Sequence, residues 1–160
     1  MINYNTLITH YSKTNKNNKE DHLRVDWPNY NDLQKRYENM INSIPANLDS
    51  QKKIEILDLG CGLSGLFLYL KKKKLNLNFK YIGLDINKDF IDECNYRYPE
   101  NVYIKGDILN DASLFPKVDY TIINGLFTQK IKLSNKKMTD FMIMILKLVH
   151  AKSSIGYSFN

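Results

Sequence analysis

The sequence predicts an α/β fold in which a doubly wound, mainly parallel sheet of about five strands is covered by helices on both faces. Short apolar stretches alternate along the chain with longer segments whose apolar residues recur at helical spacing. The short stretches are apolar almost throughout, which is typical of strands buried on both faces. A glycine-rich turn joins the first of these strands to the helix that follows. Strands alternating with helices in this way favour parallel pairing.

The composition is that of a globular domain. The chain has 160 residues, 43% of them apolar and 25% charged, which suffices for one domain with its own core. No stretch of eighteen apolar residues is present, and the N-terminus lacks the basic-then-apolar pattern of a signal peptide. The two cysteines, Cys61 and Cys94, lie in no CxxC or Cys/His cluster, so we expect neither a disulfide framework nor a metal site. These observations favour a cytoplasmic location.

The net charge of +6 raises the question of nucleic-acid binding. Of the 23 basic residues, all are lysine except Arg24, Arg36 and Arg97. Bidentate recognition of phosphate favours arginine over lysine. The lysine run at 71–74 closes a predicted helix, where cations complement the helix dipole. We therefore do not expect nucleic acid to be the partner.

Residues 1–49 are predicted to form a helical, lid-like segment that precedes the core of the same single domain at 50–160. Residues 1 to about 30 are polar and weakly patterned, which indicates mostly loop. An amphipathic helix follows, and Pro45 ends it. Its apolar positions are Leu33, Tyr37, Met40, Ile41 and Ile44.

The stretch IEILDLGCGLSG, from Ile54 to Gly65, is the centre of the predicted core. An apolar strand runs into Asp58 and then into a turn containing Gly60 and Gly62. Glycines without side chains let a ligand approach the backbone. The helix after the turn presents free N–H groups and the positive end of its dipole. A strand, a glycine turn and a helix in this order are typical of a nucleotide-type cofactor site.

Four more strands are predicted, at about 79–84, 101–105, 118–123 and 155–159. Asn87 is predicted to cap the helix after the second strand. A long apolar-striped helix between Met138 and Val149 leads to the fifth strand. Right-handed crossovers place the carboxyl ends of all the strands at one edge, where open α/β sheets bind ligands. The side chains that follow the strands at this edge are Asp58, Asp85, Asp107 and Asn124.

These motifs resemble those of the class I, Rossmann-like S-adenosylmethionine-dependent methyltransferases. In chain order they are LDLGCG at 57–62, YIGLD at 81–85, GDI at 106–108 and VDYTIINGLF at 118–127. VDW at 25–27 and FN at 159–160 also recur in a bacterial subgroup of that family. Each match alone is weak, but four in the same order, each at a predicted strand end, are specific.

The resemblance implies methyl transfer from S-adenosylmethionine and assigns the cofactor-binding residues. Gly60 and Gly62 would lie against the amino-acid tail, with Cys61 between them as a small apolar residue and not a nucleophile. Asp58 would lie near the sulfonium and ammonium groups, where a carboxylate offsets positive charge.

The same resemblance assigns the adenosine half of the cofactor. Asp85 would accept hydrogen bonds from both ribose hydroxyls. Asp107 would accept from the adenine amino group, the Ile108 N–H would reach a ring nitrogen, and Ile86 would line the purine. Asn124 would lie where the methyl acceptor approaches. The sequence identifies no general base and no catalytic side chain.

The sequence also bears on the acceptor. NGLF at 124–127 stands where adenine-amino methyltransferases carry an Asn/Asp-Pro-Pro-Tyr/Phe segment, and no Pro-Cys nucleophile for cytosine methylation is present. We therefore expect a small-molecule acceptor.

The family's sheet has seven strands, whereas five are predicted here. We therefore expect the fifth strand to be an exposed edge, open to a partner or to self-association.

Two other functions fit part of the pattern. Gly60, Gly62 and Gly65 also match the GxGxxG fingerprint of NAD-dependent oxidoreductases. A chain without the C-terminal strands can also bind the cofactor without turning over. Asp58 before the turn, the helical segment before the first strand, and Gly106-Asp107 favour the methyltransferase.

Overall fold

The computed structural model describes residues 5–45, 52–73, 78–128 and 134–160. Within these ranges, three helices precede the sheet: α1 (Asn5–Asn17), α2 (Asp21–Arg24) and α3 (Tyr30–Asn42). The core then follows as β1 (Ile54–Leu59), α4 (Gly65–Lys73), β2 (Phe79–Asp85), α5 (Lys88–Arg97), β3 (Val102–Lys105), β4 (Val118–Ile123), α6 (Asn135–Lys152) and β5 (Ser153–Phe159). A short 3-10 helix, Ala112–Leu114, lies between β3 and β4.

The five strands form one parallel sheet in the order β3-β2-β1-β4-β5. The prediction of a doubly wound parallel sheet with helices is therefore confirmed. The chain moves outward from β1 through β2 to β3, returns to the other side of β1 to form β4, and continues to β5. The point at which this order reverses lies between β1 and β4, and a crevice forms there at the carboxyl ends of the strands.

Adjacent residues of the central strand face two separate cores. Ile56 and Leu57 are both fully buried, but Ile56 packs with α3 and α4 whereas Leu57 packs with α6. This alternation explains why the strand is apolar at successive positions. The two cores fix β1 from both faces, and so they fix the turn that leaves its carboxyl end.

The prediction that residues 1–30 are mostly loop is wrong for the described part, because α1 and α2 are helical. α1 is rich in Asn, Thr and Ser, which have modest helix propensity. Its Tyr11 packs edge-on against Phe90 of α5, with ring centres 6.2 Å apart. Because short helices gain most of their stability from tertiary packing, the local pattern does not reveal this helix. Residues 1–4 lie outside the described part.

The predicted caps and the remaining elements agree with the structure. The Asn87 side chain accepts a hydrogen bond from the Asp89 N–H at 3.0 Å at the start of α5. β5 is the outermost described strand on its side of the sheet, and Ile155 and Phe159 on it are 37% and 46% exposed. None of the helices in the described ranges is long and apolar enough to span a membrane.

Candidate functional site

A cavity of about 710 Å³ opens at the carboxyl edge of the sheet. The structure brings all of the predicted cofactor-binding residues to its wall. They are Asp58, Gly60, Cys61, Gly62, Asp85, Ile86, Asp107, Ile108 and Asn124. They lie at or just after the carboxyl ends of β1 to β4, so the cavity spans the point where the strand order reverses.

The glycine turn after β1 is bound to the end of β2. The N–H groups of Gly60 and Cys61 both donate to the Leu84 carbonyl, at 2.8 and 3.1 Å. Gly60 has a φ of 81°, and a Cβ there would meet only the Leu126 side chain, at 3.8 Å. The positive φ at position 60 therefore favours glycine. Because glycine has no side chain, the space above the turn stays open.

Gly62 differs from Gly60, because the protein itself fills the space beside it. A Cβ at Gly62 would lie 2.8 Å from a methyl group of Val25, and its φ is 51°. Ser64 also has a positive φ, 62°, and is fully buried. Its hydroxyl donates to the Tyr103 hydroxyl at 3.0 Å, so the buried polar group is satisfied. The turn thus tolerates serine at position 64.

Asp85 joins the glycine turn to the start of α5. One carboxylate oxygen accepts from the Gly62 N–H at 2.9 Å and the other from the Asn87 N–H at 2.8 Å. Burial raises the pKa of Asp85, while backbone N–H donors from Asn87, Gly62 and Ile86 oppose the rise. Each oxygen can still accept a further hydrogen bond.

Asp58 is almost fully buried, at 3% exposure, and accepts a hydrogen bond from the Tyr81 hydroxyl at 2.6 Å. Burial raises the pKa of Asp58 to about 7, with a smaller contribution from the negative charge of Asp85, and the Tyr81 hydrogen bond opposes the rise. Near neutral pH this carboxyl is therefore divided between its two forms. A cation in the cavity would favour the ionised form.

Asp107 caps the turn after β3 as well as lining the cavity. Its carboxylate accepts from the Leu109 N–H at 3.0 Å and from the Asn110 side-chain amide at 2.7 Å. Ile108 is buried, at 4% exposure. The Gly106 N–H donates to the Asp85 carbonyl at 3.0 Å, which holds the β3 turn beside the end of β2.

The N-terminal segment (residues 5–45) packs over these turns through three side chains that meet glycines. Val25 contacts Gly62, Trp27 approaches Gly125, and the Tyr37 hydroxyl lies beside Gly65. A Cβ on Gly125 or Gly65 would lie 2.9 Å from the Trp27 ring or 2.6 Å from the Tyr37 hydroxyl. The VDW motif at 25–27 thus contributes two of these three contacts, through Val25 and Trp27.

Charged side chains also fix the segment to α5. Arg24 of α2 contacts Glu93 through two hydrogen bonds, at 2.9 and 2.5 Å, and Asp21 at 3.0 Å. Arg97 of α5 contacts Asp21 at 2.7 Å and Glu93 at 3.2 Å. We call these four residues the ion cluster. The sequence analysis missed it, because its partners lie about seventy residues apart and no local pattern connects them.

The thiols do not have the environment of nucleophiles. Burial raises the pKa of both Cys61 and Cys94, with further effects from nearby charges. A raised pKa keeps a thiol protonated and unreactive. Within the ranges that the structure describes, no three His, Cys, Asp or Glu side chains are grouped to hold a metal ion.

No family model matches this chain. A Mycobacterium tuberculosis protein that is provisionally named a methyltransferase is 26% identical over 105 residues, which cover 66% of this chain and 61% of that protein. The solved structure of the plantazolicin methyltransferase BpumL, with a pentazolic desmethylPZN analog and SAH (S-adenosylhomocysteine), covers 93% of this chain at a TM-score of 0.60 and 19% identity. The magnesium protoporphyrin IX methyltransferase ChlM of Synechocystis PCC 6803, with bound SAH, covers 94% at a TM-score of 0.59 and 13% identity.

The chain therefore has the Rossmann-like fold of class I S-adenosylmethionine-dependent methyltransferases, and the predicted resemblance is confirmed. It spans 61% of the length of the mycobacterial relative, 53% of BpumL and 64% of ChlM.

Proposed function

We propose that this chain binds S-adenosylmethionine and transfers its methyl group to a small-molecule acceptor. The observation that carries the proposal is the meeting of Asp58, Asp85 and Asp107 with the Gly60 turn around one cavity, at the reversal of the strand order. Structural neighbours with SAH bound support the cofactor, and the small molecules named with BpumL and ChlM support the acceptor class.

The residues present fit this cofactor. The open space above Gly60 suits the amino-acid tail. Asp85, held by two backbone N–H groups, keeps acceptor capacity on both oxygens for the two ribose hydroxyls. Asp58, with a pKa of about 7, can ionise beside a positive charge. We assign Asp107 and Ile108 to the adenine, Ile86 to the purine face and Asn124 to the acceptor side. When bound, S-adenosylmethionine supplies a methyl group already activated by its sulfonium.

The chain itself contributes by holding the cofactor and the acceptor and by enclosing the site. Val25 and Trp27 pack the N-terminal segment onto the turns after β1 and β4, and we propose that residues 1–49 cover the site as the lid of a single domain. Such a cover excludes water and restricts the acceptor to an in-line approach. Positioning of this kind can supply about 7–11 kcal/mol of a transfer barrier.

A second candidate function is cofactor binding without turnover. Its support is that the chain spans only 53–64% of the methyltransferases named above, while β5 leaves Ile155 and Phe159 exposed at the sheet edge. An edge strand offers unpaired backbone groups to a further strand, from a partner or from a second copy. This candidate predicts that SAH binds but that methyl transfer appears only when such a partner is supplied.

A paired thermal-shift experiment tests the proposed function. The chain is melted with S-adenosylhomocysteine, with NAD and with neither. At a ligand concentration 100 times its dissociation constant, stabilisation of about 2.7 kcal/mol is expected, which raises the melting temperature of a domain of this size by roughly 5–10 °C. We expect this shift with S-adenosylhomocysteine alone. A shift with NAD alone would contradict the methyltransferase and support the oxidoreductase.

A further inference from the structure

Asn160, which follows β5, contacts the turn after β4 through its side chain and its backbone. Its Oδ1 accepts a hydrogen bond from the Gly125 N–H at 2.8 Å. Its Nδ2 donates to Oδ1 of Asn124, also at 2.8 Å. Its backbone N–H donates to the Ile123 carbonyl at 3.3 Å. Both polar atoms of one side-chain amide are therefore used on two consecutive residues of the same turn.

The other side of this turn is fixed by the N-terminal segment. The ring of Trp27 lies so close to Gly125 that a Cβ there would be 2.9 Å from it. Gly125 has a φ of 86°, which disfavours any residue with a side chain. The side chain of Asn124 also interacts with the Tyr37 hydroxyl. The turn is thus held between the N-terminal segment and Asn160, the residue that follows β5.

Asn124 and Gly125 line the cavity, whereas Asn160 is not among the residues of its wall. Asn160 therefore reaches the site only through the two residues that it holds. If its amide were removed, the Gly125 N–H and the Asn124 Oδ1 would each lose a partner, and the turn would be free to adopt other orientations.

We infer that Asn160 is a positioning residue, which fixes the orientation of Asn124 and Gly125 toward the cofactor and the acceptor. This inference rests on the proposed function. It adds a requirement to those already assigned to Asp58, Asp85 and Asp107. The Asn160 side chain must present an acceptor to Gly125 and a hydrogen-bonding group to Asn124 at the same time. Rigid supporting contacts of this kind determine how accurately a site is held.

The test uses four variants of the full chain, with affinity for S-adenosylhomocysteine measured by calorimetry and melting temperature measured beside it. Asn160→Ala removes the amide, and Asn160→Gln displaces it by one methylene. Asn160→Asp keeps the acceptor for Gly125 and lets the Asn124 amide rotate to donate. Ser158→Ala is the control, because Ser158 lies on the same strand and its hydroxyl donates to the Met40 carbonyl, at 3.4 Å, without touching the turn.

We expect Asn160→Ala and Asn160→Gln to weaken the binding of S-adenosylhomocysteine about tenfold, the effect of losing one or two net hydrogen bonds. Asn160→Asp should stay within about threefold of wild type, and Ser158→Ala within twofold. Melting temperatures of the Gln and Asp variants should agree, so that the difference in affinity reports position and not folding.

Two results would overturn the inference. The first is that Asn160→Gln and Asn160→Ala bind S-adenosylhomocysteine as tightly as Ser158→Ala does. The second is that Asn160→Asp loses as much affinity as Asn160→Gln does. If Asn160→Ala does not fold, the difference in affinity between Asn160→Gln and Asn160→Asp decides whether the inference holds. A wild-type chain that fails to bind S-adenosylhomocysteine would instead refute the proposed function, and the inference with it.

Discussion

Asp58 and Asp85 both lie at the carboxyl ends of strands of the sheet, but their surroundings differ. Asp85 is held by two backbone N–H groups, which favour its ionised form. Asp58 is held by a single phenol hydroxyl in a buried site. The sequence predicted both acids at the cavity, but not this difference, because Tyr81 reaches Asp58 from the neighbouring strand. Likewise, the spacing of glycines predicted the turn, but not that Val25 fills the space beside Gly62.

The raised pKa of Asp58 predicts how stability depends on pH. The pKa is about 7 in the folded chain against a usual value of 3.8 for an aspartic acid in water, so folding favours the protonated acid. Its contribution to stability is complete below pH 3.8 and is lost as the pH rises through 7. Inside this window the unfolding free energy falls by roughly 1.4 kcal/mol per pH unit.

Asp58→Asn imitates the protonated acid and keeps an acceptor for Tyr81. Between pH 5 and pH 8, we expect the unfolding free energy of wild type to fall relative to the variant by about 3 kcal/mol. Urea denaturation of both proteins at the two pH values measures this difference. A difference that stays constant, or that changes in the opposite direction, would contradict the protonated, buried state of Asp58.

Among the elements, those with strong local signals were predictable. β1 and β4 are apolar at successive positions, α3 has a clear apolar stripe, and Asn87 marks the start of α5. α1 was not, since its many Asn, Thr and Ser residues have modest helix propensity, and Tyr11 on it packs against Phe90 of the distant α5. The ion cluster likewise joins elements that are distant in sequence, and charges alone do not indicate their partners.

The ion cluster predicts that α2 depends on α5. Arg24→Ala removes both hydrogen bonds to Glu93 and leaves that partly buried carboxylate with Arg97 alone. Because the cluster is only partly screened from water, we expect a loss of about 2 kcal/mol in unfolding free energy. In Arg24→Ala, hydrogen exchange should show that α1 and α2 lose more protection, relative to wild type, than the sheet strands do.

The matched control for Arg24→Ala is Lys80→Ala. It removes the same charge and also breaks an ion pair, to Glu55 at 2.8 Å, but that pair lies between two strands of the sheet. We expect its exchange pattern in α1 and α2 to equal that of wild type. Equal loss of protection in both variants would show that the cluster does not fix the N-terminal segment.

At the scale of the whole molecule, the strand order determines the site. The strand order reverses between the paired strands β1 and β4, and the turns after β1, β2, β3 and β4 converge there on one cavity. This convergence was predictable, because parallel strands with right-handed crossovers must end at one edge. A lid-like N-terminal segment was predicted, but the contacts of Val25 with Gly62 and of Trp27 with Gly125 were not. These contacts, and the hold of Asn160 on the β4 turn, depend on tertiary packing, which no local pattern reveals.

The central claim is that this edge of the sheet binds an adenosyl cofactor through the acid that ends β2. The most direct test is calorimetric titration of S-adenosylhomocysteine into wild type, Asp85→Ala and the control Asp140→Ala, whose carboxylate pairs with Lys136 on the surface of α6. Circular dichroism confirms that each variant is folded. We expect micromolar binding by wild type and the control, and a loss of at least a hundredfold with Asp85→Ala, because two charge-assisted hydrogen bonds are removed. Equal binding by all three proteins, or no binding by folded wild type, would contradict the claim.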